Sequence, residues 1–169
     1  MKIIKQIDNN LEQWMLITFY LMVFVTILME VIQRFGLGLS TSWGEEVARY
    51  SFIYLIWISA AFCVKSRIHL KIDIILTFLP NRGKSAVYLF GEIVTLIIVV
   101  LCIYYSTHPV LQSIKYESIT DGLGLVKAFF LFAVPFGFSI MLIRIIQNIK
   151  KDVFNIAHNN PPYEGTSIF

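Results

Sequence analysis

The sequence predicts an all-α integral membrane protein. It has four transmembrane helices, both chain ends on the cytoplasmic side, and an amphipathic interfacial helix at the cytoplasmic face between spans two and three. Three observations predict this. Hydrophobic residues make up 57% of the 169 and charged residues only 15%, against roughly 45–50% and about 25% in a soluble domain. The apolar residues are gathered into four uncharged runs, at 13–29, 50–64, 93–107 and 128–143. At roughly 20 residues per span, the length holds about four spans and little else. A water-soluble enzyme and a disordered tail are excluded. So is a nucleic-acid binder, because a net charge of +3 supplies no concentrated basic face.

Each run is extended by its flanks to reach membrane-crossing length, giving spans at about 12–33, 42–64, 85–108 and 127–149. Together they form one transmembrane domain over 1–150, followed by a short cytoplasmic tail at 151–169. The Met-Lys-Ile-Ile-Lys start is followed by an apolar run too long for a signal peptide, with no small-x-small cleavage site. Span one is therefore expected to be an uncleaved helix. Span two opens at Ser42-Trp43-Gly44-Glu45, which reads as a capping box with Trp43 at the water interface. Glu45 then precedes Arg49 by four residues, the favourable order for a helical ion pair.

The segment after span two, residues 65–80, interleaves basic and apolar residues, as an interfacial helix does. Its bland alternative is one more turn of span two. Pro80-Asn81-Arg82-Gly83 turns the chain into span three. In span four, Pro135-Phe136-Gly137 interrupts the helix, with no counterpart in span two.

Orientation follows from the basic residues. With the N-terminus inside, 10 of the 14 Lys and Arg face the cytoplasm, a clear positive-inside bias.

Ionisable residues inside a membrane are functional candidates by default. Glu30 falls near the outer end of span one, where a wet helix end or a pair with Arg34 accounts for it. Glu92 lies about 9 Å inside span three by helical rise and needs a partner from another helix or another subunit. His69, His108 and His158 fall at separate places, which does not suit a haem or zinc site. Cys63 and Cys102 sit too far apart along their helices for a disulfide. No catalytic, substrate-binding or metal site is predicted, and no cofactor. A self-contained carrier would show paired broken helices and polar groups at the midplane, and none is visible.

Two motifs then carry a resemblance. Trp43-Gly44-Glu45-Glu46-Val47-Ala48-Arg49-Tyr50 enters span two, and Ser59-Ala60-Ala61-Phe62-Cys63-Val64-Lys65-Ser66-Arg67-Ile68-His69-Leu70-Lys71-Ile72-Asp73 leaves it. With four spans and both ends inside, they resemble the small membrane subunit of TRAP (tripartite ATP-independent periplasmic) transporters over residues 10–150. Ser59, Leu70 and Ile72 depart mildly from the family pattern. Within the family, the chain looks most like small subunits of sialic-acid systems.

The resemblance implies a non-catalytic partner in the bacterial inner membrane. A periplasmic solute-binding protein delivers a carboxylate, and a larger membrane subunit moves it with sodium. The small subunit scaffolds that larger one. Trp43, Glu45, Glu46, Arg49, Tyr50 and Glu92 would then contact partners. Lys65, Arg67, His69, Lys71 and Asp73 would hold phospholipid headgroups or the neighbouring subunit at the cytoplasmic interface. Local capping and plain positive-inside charge are the bland readings of the two groups. Two other classes compete. A small four-helix membrane redox enzyme would pair His or Cys at one face. A self-sufficient oligomeric small transporter would place its acid mid-membrane in span one.

Overall fold

A computed structural model describes the backbone of residues 2–39, 42–67, 80–158 and 160, and side chains within these ranges except at 2–9 and 81–82. The segment 68–79, on which most of the expected interfacial helix falls, lies outside the described residues, as do His69, Lys71 and Asp73.

Among the described residues five helices follow one another: α1 (Lys2–Gly36), α2 (Ser42–Ser66), α3 (Asn81–Lys115), α4 (Ala128–Leu131) and α5 (Ala133–His158). Four stretches are long and apolar enough to cross a membrane: Asn10–Gly36, Ser42–Ser66, Gly83–Lys115 and Ala128–His158. Helices are the natural outcome for such runs, because in hydrocarbon every backbone N–H and C=O must be satisfied within the segment. Pro80 enters α3 in an extended conformation, as a residue that cannot donate to the preceding turn should. The final helix runs on to His158, well past the expected end of the fourth span.

The helices are not arranged as a closed bundle. α1 packs on α2, α2 on α5, and α5 on α3, so the chain builds a row in the order α1, α2, α5, α3. One end of the row carries residues 2–12, 65–67, 80–92 and 144–158. The opposite end carries the 37–41 and 116–127 loops. The apolar core, Val64, Val99 and Ile145, lies where α2, α5 and α3 meet. Along the most apolar stretch of α1 no residue is buried.

Small residues set the closest contact. Ala61 and Ala133 are fully buried, and a Cβ on Gly137 would sit 2.5 Å from Trp57 Cβ. Without a hydrophobic force between helices in lipid, such close backbone approach is what packing rewards. Gly137→Ala should therefore push α2 and α5 apart and cost about 1–3 kcal/mol. Gly36→Ala, whose new Cβ would meet only Ile32 Cγ2 at 4.0 Å, should be close to neutral. Thermal unfolding of the two variants in the same detergent checks the contrast, and equal melting would refute it.

Candidate functional site

At the end of the row where α1 begins and α5 ends, six ionisable side chains from all four long helices converge. Glu12 of α1 is fully buried. Its carboxylate accepts from Lys65 Nζ at 2.8 Å and is also paired with the Arg144 guanidinium. Arg144 Nη1 in turn donates to Gln147 Oε1 at 2.8 Å. The second half is centred on Arg67, whose Nη2 donates to Asp152 Oδ2 at 2.7 Å. Its Nε lies 3.7 Å from Glu92 Oε1, and its guanidinium stands 5.1 Å over the Tyr88 ring. Asn148 joins the helices, its Nδ2 donating to Glu92 Oε1 at 3.0 Å and to the Val64 carbonyl at 3.1 Å.

The spacing on α5 explains how one helix serves both halves. Arg144, Asn148 and Asp152 are four residues apart, so they form one stripe along a single face. The charges of each half do not cancel alone. Glu12 against Lys65 and Arg144 leaves one positive charge, and Arg67 against Glu92 and Asp152 leaves one negative. Joined on the α5 stripe, the two halves are neutral together.

The backbone of Arg67 carries a further mark of selection for its side chain. It follows the last residue of α2 with φ +54°, and its N–H donates to the Val64 carbonyl at 3.2 Å. Glycine is the usual residue in that left-handed position after a helix, and an L side chain there costs roughly 1–2 kcal/mol. The buried ion contacts of the guanidinium offset that strain.

This placement corrects the expectation that Arg67 faces lipid headgroups. Its side chain is buried among Glu92, Asp152 and Tyr88, because a guanidinium at this depth is better matched by two carboxylates than by an interface. Lys65 is 17% exposed and divides itself between Glu12 and the surface. Glu92 finds its partners within the chain.

At the opposite end the acidic pair of span two separates. Glu46 is buried, and its carboxylate accepts from the backbone N–H groups of Gly122 and Leu123, each at 2.9 Å. These hydrogen bonds clamp the 116–127 loop onto the start of α2. The loop is itself ordered by an Ile119–Val126 bridge and by the Thr120 N–H donating to the Leu125 carbonyl at 2.8 Å. Gly122 passes so close to the Ser42 carbonyl that a Cβ would meet it at 2.8 Å. Tyr50 stacks on Phe130 with centroids 3.5 Å apart.

Trp43, Glu45 and Arg49 are exposed, and among the described residues no ion pair joins Glu45 to Arg49. Glu45 instead borders a cavity of about 100 Å³ together with Glu30 and Arg34. Glu30 lies over Gly44, where a Cβ would meet its Cγ at 2.7 Å. Among the described residues, no group of three or more His, Cys, Asp or Glu is placed to hold a metal ion.

Sequence reasoning missed Glu12, Arg144, Asn148 and Asp152 as site residues. Two signals pointed to them: an acid at the mouth of an apolar run, and the four-residue spacing of polar side chains on α5.

The arrangement locks four helices in one register and presents no reacting group. Residues 23–155 match the family described as tripartite ATP-independent periplasmic transporters, DctQ component. The chain is similar to a putative TRAP transporter small permease protein of Haemophilus influenzae. The two are 25% identical over 155 residues, covering 89% of this chain and 92% of that one. It is similar also to the sialic acid TRAP transporter small permease protein SiaQ of Vibrio cholerae, at 24% identity with 88% and 85% covered. A third similarity is to the isethionate TRAP transporter permease protein DctMQ of Oleidesulfovibrio alaskensis, at 23% identity over 87% of this chain. The aligned part is 24% of that relative, so the chain spans about a quarter of its length. These relatives are transporter permease proteins, not enzymes.

Proposed function

Because the chain belongs to the DctQ component family of tripartite ATP-independent periplasmic transporters, we propose that it is the static wall of such a transporter. In this reading it holds a larger, sodium-coupled permease subunit in place in the bacterial inner membrane, with both its own ends in the cytoplasm. The larger subunit takes up a carboxylate solute delivered by a periplasmic binding protein. The observation that carries the reading is the neutral, buried ion network spanning all four long helices. A moving carrier must break and remake its internal contacts, whereas a network whose carboxylates and guanidinium groups are buried resists that motion.

Sialic acid is the solute we favour, with the name of SiaQ in support. The isethionate in the name of DctMQ fits a reading in which relatives of this chain serve different solutes. Trp43, Glu45 and Arg49 stand exposed beside the clamped 116–127 loop, and together they offer the binding protein a rigid surface. At the other end Lys150, Lys151 and Phe154 line an open cleft, where phospholipid headgroups are held.

Purification from membranes by a tag on this chain tests the reading. A polytopic permease of much larger size should copurify in stoichiometric amount. A lone homo-oligomer that transports solute by itself would overturn it.

A further inference from the structure

In the row of helices α2 stands between α1 and α5, which flank it and reach each other through the Glu12–Arg144 pair at one end. Packed helices lie about 8–10 Å apart, so a row of three leaves a notch over the middle helix close to one helix diameter, ~10 Å. On one side of the row this notch is a groove of about 610 Å³. Val47, Ser51 and Tyr54 form its floor, with Phe19 on the α1 wall and Phe129 and Phe136 on the α4–α5 wall. Its rings are held in place: Phe19 stacks on Tyr54 at 5.3 Å, and the Tyr54 hydroxyl donates to the Phe129 carbonyl at 2.8 Å. The groove is thus a fixed, almost wholly apolar concavity between candidate spans, bordered at one end by Leu123 and Leu125 of the 116–127 loop.

We infer that this groove seats a transmembrane helix of the larger permease subunit. The inference rests on the proposed function and names the face by which the two subunits meet. Three observations favour a helix as occupant. The notch lies where a closed four-helix bundle places its fourth member, and a helix there touches α1 and α5 at once. α1 packs along α2 and is tied to α5 at its Glu12 end, while no residue is buried along its most apolar stretch, which is long enough to cross a membrane. In the relative named as the permease protein DctMQ the match covers 24% of the protein, so about three quarters of that permease lies in the same chain beyond the part resembling this one. Small residues on the incoming helix suit the floor, since close approach and van der Waals fit drive association in lipid. The outer face of α3 is different: it is the outer edge of the row, a convex surface that lipid tails coat without leaving a void.

The test uses the tagged full chain coexpressed with its large subunit. Val47→Trp, on the floor, and Met22→Trp, on the α1 wall, fill the groove. Ile97→Trp, on the exposed face of α3, is the control. Each variant is first checked for unchanged thermal unfolding in the absence of the partner. The groove variants should recover roughly tenfold less large subunit, equal to about 1.4 kcal/mol, while Ile97→Trp recovers it fully. A photoreactive residue at position 22 of the otherwise unchanged chain should crosslink to the large subunit, and one at position 97 should not. This second measurement decides the matter where a tryptophan variant misfolds.

Retention of the partner by both groove variants overturns the inference, as does a crosslink from position 97 alone. Loss of copurified phospholipid with the partner retained would make the groove a lipid site instead. If the unsubstituted chain captures no larger permease at all, the proposed function fails first, and that result is read separately from the variants.

Discussion

Replacing Arg67 with methionine will cost about 3–5 kcal/mol of stability, the range for removing one partner from a buried charge network. The side chain is fully buried, and without it Glu92 and Asp152, both also buried, face each other across a dry space with no guanidinium between them. The cation over Tyr88 is lost as well. A companion variant separates charge from packing. Arg67→Met combined with Glu92→Gln and Asp152→Asn removes the charges on both sides, and replacing a whole buried network is often neutral or even stabilising. The triple variant should therefore unfold at a higher temperature than Arg67→Met alone. Thermal unfolding in one detergent reads both. A single variant as stable as the unsubstituted chain would show that the ion contacts contribute nothing.

The second large effect concerns α1. Because this helix packs on α2 alone, Glu12 is its one buried side chain among the described residues, and that carboxylate reaches past α2 to α5 through Arg144. Glu12→Leu strands Arg144, and it also takes the carboxylate away from Lys65. The two cations respond differently. Lys65 is 17% exposed and swings its ammonium to water, whereas the Arg144 side chain is 5% exposed and is left buried. The cost is about 3–5 kcal/mol, concentrated at the α1 edge. Hydrogen exchange should rise along α1 and the facing part of α2 while α3 stays protected. Lys65→Met, by contrast, should disturb exchange far less. Unchanged protection of α1 in Glu12→Leu would show that the helix is held by its contacts with α2 alone.

The sequence made the helices legible and hid most of what joins them. Spans declare themselves through composition, because a run of twenty apolar residues has few other fates in water or lipid. The start of α2 was readable near Ser42 from the local sequence there. The need of Glu92 for a partner was readable too, since an acid at that depth is costly alone. Its partners were not. Arg67 and Asn148 lie far from Glu92 in the chain, and Arg144 is 132 residues from Glu12. Counting positive charges for orientation treats Lys65, Arg67 and Arg144 as wet and interchangeable, and so passes over the geometry that pairs them. The length of the last helix was hidden for a similar reason. Lys150 and Lys151, which suggested its end near 150, are exposed, while Asp152 on the buried face continues the stripe and α5 runs on to His158. Glu46 shows the complementary case. Its motif marked it, but its task of holding Gly122 and Leu123 depends on a loop that only the fold brings near.

The neutrality of the network also sets a timetable for making the protein. Glu12 enters the membrane with the first helix, when none of its partners has yet been synthesised. Lys65 follows 53 residues later and provides a provisional neighbour. Arg144, its buried partner, comes 132 residues after Glu12, which at ribosomal speed is on the order of ten seconds. Asp152 arrives last, completing the surroundings of Arg67 just before the chain leaves its final helix. Counted along the chain, the six charges cancel once Glu92 is made, and Arg144 then adds one positive charge that Asp152 removes eight residues later. A product truncated between residues 144 and 152 thus carries one cation of the network without its counter-charge.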